Sequence, residues 1–150
     1  MCYESMLATV DTSIQVKEKP LKYGLKGIYK NGRIIIHDKL TNTEKACILA
    51  EELGHHYTST GNIIDQSVME NRKQERVARE WAHKRLVPLT RIVEASKAGI
   101  RNRYELAGFL GVTEEFLEEA LERYHGKYGA FVEHGEFIIC FEPLGVLSKV

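Results

Sequence analysis

The residues best suited to chemistry stand together at Glu51-Glu52-Leu53-Gly54-His55-His56. On a helix each residue advances by about 100°, so Glu51 and His55, four apart, project on one face about 40° from each other. An oxygen and a nitrogen donor at that spacing reproduce the way a His-Glu-x-x-His motif grips zinc, with the intervening Glu set to take a proton from water. Here the string is Glu-Glu-x-x-His. A carboxylate can ligate Zn²⁺ at about 2.0–2.2 Å, so Glu51 is chemically able to occupy the first ligand position, and Glu52 keeps the place of the general base. The alternative is a solvated polar face on which Glu51 pairs with nothing and His55 and His56 lie on the surface, because helices carry many exposed carboxylates.

A second helical pattern bears on that choice. With its apolar stripe taken through Val77, Ala78, Trp81 and Ala82, Glu75 projects toward Ala78 and Ala82 rather than to the solvated side. A desolvated carboxylate without a partner costs several kcal/mol or becomes protonated. A cation shared with the neighbouring helix is one remedy, and Arg79, one turn on, is the other.

These side chains depend on elements that the sequence marks out with different clarity. Ala46, Leu49, Ala50, Leu53 and Tyr57 fall at helical spacing after Thr41 or Thr43 as an N-cap, which predicts a helix from about Thr43 to Thr58. Ser67-Val68-Met69-Glu70 has the form of a capping box, and the helix it opens runs from about Val68 to Leu86, before Pro88. Ahead of both, Asn31-Gly32 separates two β-prone runs between Gly27 and His37, the signal for a tight hairpin and hence for a small antiparallel sheet rather than a parallel one. Shorter helices are expected around Thr90 to Lys97, Arg103 to Leu110 and Thr113 to Tyr124, with Thr113 as a cap, and a second hairpin from Ala130 to Phe141. The first two dozen residues carry no clear pattern. The class is α+β.

The 150 residues, 43% of them apolar, suit one domain with a real core. Twenty-one basic and twenty-one acidic side chains balance, so no global field draws the chain to nucleic acid or to an anionic membrane. Neither a signal segment nor a membrane span is evident, which points to the cytoplasm. Cys2, Cys47 and Cys140 are odd in number and widely spaced, against a disulfide framework or a thiolate zinc site. Cys47 and Cys140 read as small core residues with reduced thiols.

Ala50-Glu51-Glu52-Leu53-Gly54-His55-His56, together with Glu75-Arg76-Val77-Ala78-Arg79-Glu80-Trp81-Ala82-His83-Lys84-Arg85-Leu86-Val87-Pro88, resembles the two signature segments of the ImmA/IrrE metallopeptidases. In that family a His-Glu-x-x-His helix is followed by a helix that carries a third, glutamate ligand and ends at a proline. The resemblance implies a zincin-like fold in which His55 and Glu75 are zinc ligands and Glu52 is the catalytic base. Trp81-Ala82 falls on the family's aromatic-Ala pair and Pro88 on its terminal proline. Weaker likeness runs on through Glu105 to Thr113 and the last hairpin. It further implies a protein substrate, the cognate helix-turn-helix repressor of a phage or mobile element. Glu51 departs from the pattern by replacing the first His. It keeps a three-ligand site at the cost of added negative charge, and is ranked ahead of His56, which sits about 100° round the helix from His55.

Two other readings compete. Tyr104 to Leu117 has the look of a helix-turn-helix, and a following hairpin could act as a wing. Its second helix, however, sets Glu114, Glu115, Glu118, Glu119 and Glu122 against Arg123, which would repel phosphates, so nucleic acid is not the expected partner. The other reading is a metal-free regulatory module that binds the repressor without cutting it.

Overall fold

Asn31 and Gly32 adopt φ of 48° and 78°, the left-handed pair that a type I′ turn requires. They close a hairpin between β2 (Gly27–Lys30) and β3 (Arg33–His37), as the Asn-Gly signal indicates. In the computed structural model, which describes residues 2–58 and 68–150, the chain divides into two compact units, Met1–Ala82 and His83–Val150.

The first unit opens with α1 (Tyr3–Thr9) and β1 (Gln15–Lys19), neither of which shows in the sequence pattern. β1 pairs in parallel with β3, giving the order β1-β3-β2. The sheet is therefore mixed, and the purely antiparallel expectation is corrected. The local signal concerned only the hairpin, whereas β1 reaches β3 through a connection with no period of its own. Alternation along β3 sends Ile34 and Ile36 inward, at 1% and 0% exposure, where α2 (Asn42–Thr58) covers them.

Helix α2 starts as a reciprocal capping box. The Thr41 hydroxyl accepts from Glu44 N at 3.2 Å, and Thr41 N donates to the Glu44 carboxylate at 3.1 Å, so Thr41 rather than Thr43 is the cap. Of its apolar stripe, Ala46, Leu49, Ala50 and Leu53 are buried, but Tyr57 stays half exposed and stacks on Trp81 with ring centroids 5.3 Å apart. Lys45, nearly buried, ties α2 to β1 through Glu18 at 2.6 Å, and Tyr3 of α1 donates to the same carboxylate at 2.9 Å. Those two donors hold the Glu18 carboxyl below its ordinary range. The second long helix, α3, spans Val68–Leu86 as its pattern predicts, and the boundary between the units falls within it. The Ser67 cap expected for it lies outside the described residues.

The second unit carries α4 (Leu89–Lys97), α5 (Arg103–Leu110) and α6 (Glu114–Tyr128). Gly111 ends α5 in the left-handed region at φ 74°, and the Thr113 side chain caps α6 by accepting from Phe116 N at 3.1 Å. The last expected hairpin is part of a three-stranded meander of β4 (Phe131–His134), β5 (Phe137–Phe141) and β6 (Leu144–Ser148). Helix and sheet meet over Leu117, Ala120, Leu121, Tyr124, Ile139 and Phe141, all buried. His83, fully buried, accepts at Nδ1 from Arg123 Nε at 3.1 Å and packs edge-on against Phe116. The Tyr124 hydroxyl donates to the Val87 carbonyl at 2.8 Å. Helices with two small sheets make the class α+β. The three cysteines are free: Cys47 is buried, Cys140 partly so and Cys2 exposed.

Candidate metal and catalytic site

Two close approaches, each made where a side chain is missing, set the site. The first is between α2 and β2. A Cβ on Gly27 would lie 2.5 Å from Ile48 Cγ2 and 3.1 Å from Glu52 Oε1, so only glycine lets the strand come this near. The Glu52 carboxylate is thereby held against the strand and half-buried. Burial pushes its pKa up to about 7, and the Glu51 and Glu75 charges add to the rise. One turn further along α2, His56 meets Tyr29, two residues beyond Gly27 on the same strand face. The Tyr29 hydroxyl and His56 Nδ1 are 2.8 Å apart, and that hydroxyl also accepts from Gly32 N at 3.2 Å. His56 is thus engaged by the hairpin, with its ring edge-on to Tyr29 and Tyr57.

The second approach is between α2 and α3. A Cβ on Gly54 would overlap the Ala78 carbonyl, so the helices touch backbone to backbone. Beside this crossing His55 Nε2 lies 3.1 Å from Glu75 Oε1. Among the described residues the ion pair of Glu75 is with His55 and not with Arg79, the other partner considered. Glu75 does not, however, face the core as the apolar stripe of α3 predicts. Its side chain is 58% exposed, not turned to the core, because Ala78 and Ala82 take the buried positions of α3.

The donors can be compared with the needs of a zinc ion. Two ligand atoms on one tetrahedral zinc at about 2.0–2.2 Å lie roughly 3.3–3.6 Å apart. The His55 and Glu75 atoms, 3.1 Å apart at hydrogen-bonding distance, would have to separate by a few tenths of an ångström to share an ion. Glu51 is on the α2 face of His55, one turn earlier, and its charge reaches Glu52. Among the described residues no three His, Cys, Asp or Glu side chains converge as a ready metal-holding group. His55 and Glu75 are donors of types that zinc accepts and meet as a pair, while Glu51 stands one turn earlier on α2, outside that pair. The charges of Glu51 and Glu75 each raise the Glu52 pKa, a repulsion that a cation would offset.

Tyr29, Gly27 and the part played by Gly54 escaped the sequence reading. Gly27 and Tyr29 sit on the hairpin strand that Asn31-Gly32 announces, yet nothing local says which helix that strand meets. On α6, Glu118 is taken by Arg103 and Arg123 turns inward to His83, so the helix presents mostly acid outward.

Compared with family models, the chain matches that of the M78 peptidases, described as the IrrE N-terminal-like domain, over residues 9–122. The matched region holds β1 to β3, α2, α3 and the whole candidate site. No curated protein matches the chain.

Proposed function

The chain belongs to the IrrE N-terminal-like peptidase family, and from that premise we propose that it is a zinc-dependent endopeptidase cleaving a helix-turn-helix repressor of a phage or mobile element. The observation that carries the reading is the meeting of His55 Nε2 with Glu75 Oε1 at 3.1 Å beside a half-buried Glu52. His55, Glu75 and Glu51 would hold the ion. Zinc bound there supplies Lewis acidity, which acidifies water and polarises a peptide carbonyl.

The chain's own residues supply the rest. Glu52 accepts the proton of the attacking water at its carboxylate, the general-base role open to a carboxylate beside the ligand face. Its contact with Gly27 fixes the carboxylate at the margin of β2. Tyr29 keeps His56 off the ligand face, which favours Glu51 as the third donor. The family match crosses the boundary between the units, which supports taking residues 1–150 as one peptidase domain. Among the described residues no helix is long and apolar enough to cross a membrane, in keeping with a cytoplasmic place of action.

The test starts from protein purified without chelator, with bound zinc measured and the repressor encoded beside it as substrate. Wild type is expected to hold about one zinc and to cut the repressor. Glu52→Gln should keep the metal and lose about 10²–10⁴-fold in cutting rate, because an amide cannot take the proton. His55→Ala should lose the metal itself. Undiminished cutting by Glu52→Gln would refute its role. No zinc and no cutting by the wild type would favour the non-catalytic module.

A further inference from the structure

The face of the first sheet turned away from α2 has a composition that the rest of the chain does not explain. Alternation sends Gln15, Lys17 and Lys19 of β1, Arg33, Ile35 and His37 of β3, and Ile28 and Lys30 of β2 to this side. The registers set them in rows. Ile35 stands between Lys17 and Ile28, and Arg33 between Gln15 and Lys30. No strand residue on this face is acidic, although the chain as a whole carries equal numbers of acids and bases. The one acid of β1, Glu18, points to the opposite face and is held by Lys45.

Two features argue that this is more than a solvated surface. Lys30 and Arg33 are directly opposed across an antiparallel pair, where like charges are destabilising. Among the described residues, none of Lys17, Lys19, Lys30 and Arg33 makes an ion pair that would relieve this. The cations also surround an apolar centre, Ile28 at 36% exposure beside the partly exposed Ile35, instead of mixing with acids. Shallow grooves of about 210 and 510 Å³ run on either side of the Arg33–Ile35 ridge, the larger lined by Ile28, Lys30 and Asn31.

We propose that this open sheet face docks an acidic segment of a partner polypeptide, with an aliphatic side chain over Ile28 and Ile35 and carboxylates at Lys17, Lys19, Lys30 and Arg33. Charge complementarity calls for an anion, and the isoleucine pair decides which kind. A single strand of nucleic acid is held chiefly by stacking of its bases on aromatic rings, and the one ring among the strand residues of this face, His37, stands at the end of β3 with Nδ1 accepting from Leu21 N, whereas the centre of the face is aliphatic. An acidic peptide satisfies both halves of the surface. The proposal is independent of the metal site and holds whether or not the chain cuts peptides.

The test uses the full chain and a labelled peptide, Gly-Glu-Glu-Ile-Glu-Ile-Glu-Glu-Gly, followed by fluorescence anisotropy at two salt concentrations. The peptide should bind, more weakly at the higher salt. Binding should fall about tenfold or more when Gln replaces its Glu residues or Ser its Ile residues. In the protein, Lys30→Glu with Arg33→Glu, and separately Ile35→Ser, should weaken binding to a similar degree, with circular dichroism showing the fold retained. These positions are exposed or partly so, and the charge swap tests the face even if Ile35→Ser proves unstable. The proposal is overturned if the peptide fails to bind, if the neutral or serine peptide binds equally well, if the charge swap leaves affinity unchanged, or if a single-stranded oligonucleotide binds more tightly than the peptide.

Discussion

Gly54 of α2 and Ala78 of α3 are in backbone contact, so close that a methyl group on Gly54 would overlap the Ala78 carbonyl. The meeting of His55 with Glu75 lies beside this crossing. On an isolated helix Gly→Ala gains about 1 kcal/mol. Here the obstruction is backbone, which cannot swing aside, and overpacking of that kind costs about 1–3 kcal/mol or more. Gly54→Ala is expected to be a net loss in urea unfolding and to weaken zinc uptake by forcing His55 from Glu75. A stabilised variant with unchanged zinc content would show that the helices have room.

Glu52→Gln should stabilise the metal-free protein at mildly alkaline pH. The folded-state pKa of Glu52, about 7, stands above its ordinary 4.5, so the fold favours the protonated acid. The stability this contributes is complete below pH 4.5 and is lost as pH rises through 7. The shift corresponds to roughly 3 kcal/mol at most. Unfolding of chelator-treated protein across this window should show the loss in wild type and a flatter profile in the variant. Parallel profiles would mean that the carboxylate is better solvated than its position against Gly27 suggests.

Tyr124→Phe removes the buried hydroxyl that donates to the Val87 carbonyl, and should cost about 1 kcal/mol near neutral pH. Burial pushes the Tyr124 phenol from 10 up to about 12, and the fold again favours the protonated form. Its contribution is complete below pH 10 and disappears as pH climbs through 12. Wild type and variant should therefore converge in stability over that alkaline range. A constant difference would place the effect in packing alone.

Arg123→Ala should act through the core of the second unit and not through nucleic acid. Its guanidinium donates to the fully buried His83, and deleting a donor to a buried acceptor costs about 1–3 kcal/mol. Thermal unfolding should register the loss while affinity for duplex DNA stays as weak as before. Strong, salt-sensitive DNA binding that Arg123→Ala abolishes would instead return α6 to the role of a recognition helix.

The sequence by itself determined what local chemistry determines. The hairpin follows from Asn31-Gly32, whose backbone must enter the left-handed region. The two long helices follow from the spacing of Ala46, Leu49, Ala50 and Leu53 and of Ala78 and Ala82. The caps at Thr41 and Thr113 follow from hydroxyls that replace missing helix partners, and the family shows in the two helical segments. Tertiary structure alone decided the parallel pairing of β1 with β3, which joins residues on either side of a connection with no periodicity. It also decided that Glu75 reaches His55 from an exposed position rather than from the core, and that Tyr29 engages His56. A helical wheel gives a side chain's direction on its own helix. Whether two such directions converge depends on how closely the backbones approach, and here that was set by the side chains absent at Gly27 and Gly54.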